Sequence, residues 1–219
     1  MPTVAHTAKR RQAAPRLSTG VMNILRTFHL ATAEEMTSGL TWYRDGLETA
    51  ARLVADARKR GEVVHKRAIT RNALAGILAA LSPQKSWSRN LGLLLDLLAG
   101  RPVGQFATQV AKARAILGGR APLDVLVGPK ERAFYLGFTD PNTEAVTIDG
   151  HAYSVWQGQR IMTTRVKITA ALFRLAAADY ATAADQVGLR PHQIQAITWL
   201  THRRIHNSTG HVQDQKNSE

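Results

Sequence analysis

The chain has 219 residues, 44% of them hydrophobic, which suits one domain, or two small lobes sharing a cleft. It contains no cysteine, which excludes disulfides, zinc–cysteine sites and iron–sulfur clusters and fits a reducing, cytoplasmic setting. The formal net charge of +13 points to a polyanion, because each Lys or Arg that neutralises a phosphate releases condensed counterions.

Residues 1–20 carry Lys9, Arg10, Arg11 and Arg16 among Ala, Thr and Pro, and read as a flexible basic arm or a solvated tail. No apolar h-region follows them, so they are not a secretory signal. No apolar run approaches the ~20 residues of a membrane span. From 21 to 205 apolar residues recur at three and four, the helical period. Helices are predicted over 21–30, 33–59, 67–81, 86–99, 105–117, 122–127, 131–136, 150–157, 165–177, 179–187 and 191–204. Breakers stand between them at Gly61, Gly100–Pro102, Gly118–Gly119, Gly128–Pro129 and Asp140–Pro141. Ala145–Ile148 is the one extended piece, too short for a sheet. Residues 206–219 form a polar, frayed tail. The predicted class is all-α, a two-lobed helical domain with short loops.

Four segments stand out. Leu81-Ser82-Pro83-Gln84 ends one helix, and Ser86 begins the next. Lys112-Ala113 lies on a later helix. Val127-Gly128-Pro129-Lys130 is an apolar helix end, a Gly-Pro turn and a new helix start. Ile148-Asp149-Gly150-His151 puts a single carboxylate between an apolar run and a helix, 19 positions after Lys130.

In order and spacing these segments resemble the helix-hairpin-helix–GPD superfamily of DNA glycosylases. The resemblance covers residues 70–155 well and the flanking helices loosely. That family has an L-S-x-Q loop, a K-A pair, an L-P-G-V-G-x-K hairpin whose lysine is the nucleophile of bifunctional members, and a V-D-T-H segment with the catalytic aspartate. Leu126 replaces the first hairpin glycine here, Gly150 replaces the threonine, and the cysteine cluster of some members is absent. The resemblance implies a helical glycosylase fold acting on double-stranded DNA with a damaged or modified base, as a monomer without a cofactor. Relatives of these glycosylases are also associated with hypermodified bases in phage DNA, which keeps base modification open as the reaction.

The residue types suit that chemistry. Breaking an N-glycosidic bond builds positive charge on the sugar, which a carboxylate stabilises. Asp149 is the carboxylate the resemblance indicates, and it is equally suited to cap the helix it precedes. An amine nucleophile must be unprotonated, and both burial and the positive end of a helix disfavour an ammonium. Lys130 opens a predicted helix; it is either that nucleophile, able to form a Schiff base with DNA, or a phosphate contact. The target base must be flipped out of the stack. The resemblance implies Gln84 as the gap filler, the alternative being a loop amide bonded to its own backbone. Lys85, Arg89, Lys112 and the Gly128 backbone are phosphate contacts or solvated surface. Trp87 and Tyr153, with Trp42, Tyr43 and Trp156, are either stacking partners of the base or core. His151 is counted with Trp87 and Tyr153 in the base pocket, as a hydrogen-bonding neighbour of Asp149 rather than a catalytic base. No His, Asp or Glu group has metal-ligand spacing, and His202, His206 and His211 read as surface in the frayed tail.

A rival feature is the Tyr180–Trp199 stretch, two helices flanking Gly188-Leu189-Arg190-Pro191. It has the outline of a helix-turn-helix with His192, Gln193 and Gln195 on the second helix, which would make the protein a non-enzymatic DNA binder. The same helices are equally able to complete the larger domain through Ile194, Ile197 and Leu200.

Overall fold

A computed structural model describes residues 17–161 and 167–206. The basic arm up to Arg16 and the tail from residue 207, including His211, lie outside the described residues. The described chain is all helical, with ten helices and no strand. In order they are α1 (Thr19–His29), α2 (Ala33–Lys59), α3 (Arg71–Leu81), α4 (Trp87–Leu98), α5 (Ala107–Leu117), α6 (Pro122–Val125), α7 (Pro129–Thr139), α8 (Gly150–Gln157), α9 (Ala170–Val187) and α10 (Pro191–Ile205).

Local chemistry sets the ends. Ser18, Thr70, Ser86, Asp149 and Thr169 each accept a backbone N–H in the first turn they cap. Thr32 and Glu35 form a full capping box on α2. Gly158 and Gly188 end α8 and α9 in the left-handed conformation. The two helices predicted over 165–177 and 179–187 are one, α9, because nothing between Ala170 and Val187 breaks the period. Asp179, the polar residue that mimics a break, accepts a 2.7 Å bond from Trp156 Nε1 on α8.

Two apolar cores result. One joins α2 to α3–α7 through Leu47, Leu78, Leu81, Leu94, Ile116 and Leu126. The other joins α1, α8, α9 and α10 through Ile24, Ile148, Tyr180, Ile194 and Ile197. The seam between them is α2 against α10. Gly39 makes that approach possible: a Cβ there would stand 2.8 Å from the backbone N of Ile197. Across the seam, Tyr43 Oη donates to Gln195 Oε1 at 3.0 Å and lies 3.2 Å from Thr147 Oγ1. Glu35 holds the other end of α10, taking Arg204 at 2.7 Å.

This burial corrects the helix-turn-helix expectation. His192 and Gln195 are buried in the seam, so the second helix cannot lay those side chains in a DNA groove.

Candidate active site at the seam

Lys130 is the second residue of α7, two residues after the Gly128 cap and behind Pro129 at the first helical position. The preceding hairpin runs from α6 through Leu126–Gly128. Leu126, where the family has glycine, is fully buried, and its N–H donates to Pro122 O at 2.8 Å. Gly128 has φ −74°, so its backbone does not require glycine. Lys130 is half-buried, and among the described residues it makes no ion pair.

Asp149 caps α8, and its Oδ1 accepts the Ala152 N–H at 2.8 Å. Its other carboxylate oxygen is not needed by the helix. The carboxylate is half-buried where the two cores meet. Its charge acts on four buried rings from four helices: Tyr43, His151, Tyr180 and His202. Burial pushes both phenols above their ordinary range, and Asp149 adds to the rise.

His151 feels the charge of both predicted catalytic residues. Burial lowers its pKa, Asp149 opposes that, and Arg203, Lys130 and Arg160 reinforce it. Lys130, from the hairpin lobe, and Asp149, from the other, therefore lie within electrostatic reach of one imidazole.

The last turns of α10 correct the reading of its histidines as surface. Trp199, His202, Arg203 and His206 recur at i, i+3, i+4 and i+7, one face of the helix, and that face turns inward. His202 is 6% exposed, and burial together with His206 and His151 pushes its pKa down to about 4, so it is neutral. Its ring centroid lies 5.6 Å from His151 and 4.4 Å from His206. Trp199 stands 6.3 Å from His151 and 5.8 Å from Trp42, with the Arg203 guanidinium 4.5 Å over its ring. Both ring nitrogens of His202 and Nδ1 of His151 are buried without a hydrogen-bond partner. Each such atom costs about 1–3 kcal/mol. The signal for this face was present in the helical spacing, but the polar sequence beyond His206 hid it. Among the described residues no group of three or more His, Asp or Glu side chains is arranged to hold a metal.

The other predicted residues divide. Gln84 is exposed at the tip of the α3–α4 loop with φ +59°, the one positive φ outside glycine among the described residues. Its turn is closed by Lys85 N to Ser82 O at 3.1 Å. Gln105 Nε2 clamps that turn by donating to Leu81 O and Pro83 O at 2.8 and 2.9 Å. Lys85 is half-buried beside it, and exposed Arg89 lies over Gly104. Lys112, in contrast, is tied to buried Glu131 at 2.7 Å, which joins α5 to the first turn of α7. That pair corrects its reading as a free phosphate contact. Trp87 is 7% exposed in the first core and belongs to no pocket wall. Tyr153 lies about 200° around α8 from His151 and packs with Trp156 against the second core, away from the side of α8 that carries His151. A cavity of about 270 Å³ lined by His65, Arg67, Thr70 and Arg120 lies elsewhere, against the start of α3.

Fold and site together define an all-helical protein whose polar interior is concentrated where two lobes meet. A family model described as a family of unknown function (DUF7178) matches residues 6–207, and the chain belongs to that family. No curated protein and no solved structure matches the chain.

Proposed function

We propose that the protein is a DNA glycosylase-like enzyme that flips a damaged or modified base out of a duplex and cleaves its glycosidic bond. The observation that carries this reading is that Asp149, the cap of α8 two residues before His151, and Lys130, on α7 of the other lobe, both act electrostatically on the half-buried His151 ring. Asp149 stabilises the positive charge that grows on the sugar as the bond breaks. The Lys130 amine then attacks the anomeric carbon, giving a Schiff base from which β-elimination can cleave the strand. Gln84, presented on its clamped turn, fills the gap left by the flipped base. The net charge of +13 supports a nucleic-acid partner.

The test is borohydride trapping on duplexes carrying uracil, oxidised, alkylated and hypermodified bases, with Lys130→Ala alongside. A covalent protein–DNA adduct that disappears in the variant is the expected result. No adduct and no base release on any duplex would sink the reading.

A further inference from the structure

We propose that His202 and His151 form the hydrogen-bonding wall of a pocket for one flat heteroaromatic ring, a nucleobase, at the seam of α2, α8 and α10. This rests on the base-excision reading for its biological meaning, but the binding can be tested without it.

Three buried ring nitrogens without partners lie on two adjacent imidazoles, 5.6 Å apart by centroid. Buried polar atoms are nearly always paired, so a group of orphans asks what completes it. The chemistry of the orphans narrows the answer. A neutral imidazole offers one N–H donor and one acceptor. Two of them together suit a ligand that alternates donors and acceptors along an edge. The edge of a nucleobase alternates in the required way.

Shape and surroundings agree. Trp199 and Trp42 are half-buried at the same seam, in edge-to-face contact at 5.8 Å, and make the surroundings of the two imidazoles aromatic. His206, half-buried, packs edge-to-face against His202 with ring centroids 4.4 Å apart. Asp149 and Lys130 act electrostatically on the same imidazole.

The experiment follows the imidazole ¹⁵N resonances of the full chain by NMR during titration with free uracil, 5-hydroxymethyluracil, hypoxanthine and 3-methyladenine. At least one base is expected to move the ring-nitrogen signals of both His202 and His151. His202→Phe should then weaken its binding by about tenfold, the loss of one or two neutral hydrogen bonds. His202→Gln, which keeps a donor and an acceptor, should stay within a few-fold of the parent. Signals unmoved by every base, or unchanged affinity in His202→Phe, would overturn the proposal. The outcomes separate it from the function above. Base binding without excision keeps the pocket and removes the enzyme. Excision with full activity in His202→Phe does the reverse.

Discussion

The two lobes treat polar groups differently. In the hairpin lobe the buried charge is paired: Lys112 and Glu131 meet at 2.7 Å, and Asn90 Nδ2 donates to Leu78 O at 3.0 Å. Its unpartnered side-chain atoms, Trp87 Nε1, Asn90 Oδ1 and Gln109 Oε1, are single atoms on separate residues. At the seam with the second lobe the orphans are neighbouring imidazole nitrogens, gathered around a carboxylate. A scaffold tolerates single orphan atoms scattered over separate residues. A site leaves groups for a ligand to satisfy. The contrast sets the seam apart from the hairpin lobe, whose helix α7 carries Lys130.

The strongest way to break this contrast is Asp149→Asn. Asn caps a helix about as well as Asp, so α8 should keep its first turn and the melting temperature should hardly move. The negative charge at the seam is lost, and excision should fall by about 100-fold or more, the usual cost of removing a group that stabilises developing charge. Single-turnover base release measures it. Unchanged release would place the chemistry elsewhere.

The next effect is on pH-dependent stability. The pKa of His202 is about 4 in the fold, below its unfolded value of about 6.5. The folded state resists protonation, so this contribution is complete above about pH 6.5 and is lost as pH falls towards 4. The loss attributable to His202 is on the order of 3 kcal/mol. Burial shifts His151 and His192 the same way. Glu35, held below its ordinary value by Arg204, Thr32 and Thr201 against the opposing effect of burial, acts in the same direction at still lower pH. Urea unfolding from pH 7.5 to 4 should show the decline, and His202→Phe should flatten it. An equal slope in the variant would mean that the ring is not buried neutral at the seam.

The hairpin lobe predicts a smaller and different response. Glu131→Gln leaves the Lys112 ammonium partly buried without its counter-charge, and should cost about 1–2 kcal/mol. Replacing both residues by methionine should recover most of that, since it removes the unpaired charge. Thermal melts of the single and double variants make the comparison. A double variant as unstable as Glu131→Gln would show that the pair does more than satisfy itself.

Much of the fold was legible because each boundary had a local cause. The bounds of α2 follow from Thr32, Glu35 and an unbroken period, and α7 stops at Asp140-Pro141. The start of α3 was missed by four residues, because Thr70 caps the helix although the apolar period begins earlier. Lys130, Asp149 and His151 stood out as a set through motif order, and in the fold His151 feels the charge of the other two. His202 was not legible as part of it, because four residues beyond it the sequence turns polar and resembles a tail. Only the packing of α10 against α2 and α8 reveals which face is inward. Lys112 and Trp87 show the converse. Residue type admitted a DNA contact, and the tertiary partners, Glu131 and the first core, decided against it.

The finest test concerns Gly128, the hairpin glycine that remains. Its φ of −74° is open to any residue, and a Cβ would meet Glu131 Oε2 at 3.4 Å, an ordinary contact with the end of a side chain. Gly128→Ala should therefore change stability by less than about 0.5 kcal/mol. If the exposed hairpin lies against a phosphate, the added methyl pushes the backbone N–H groups away from it, and duplex affinity should drop several-fold with a shallower dependence on salt. Fluorescence anisotropy on one duplex at three salt concentrations reads both quantities. Weakened binding with intact stability would mean the glycine serves a ligand and not the fold. Unchanged binding would leave the hairpin as a support for Lys130 alone, with its contact to DNA made through other residues.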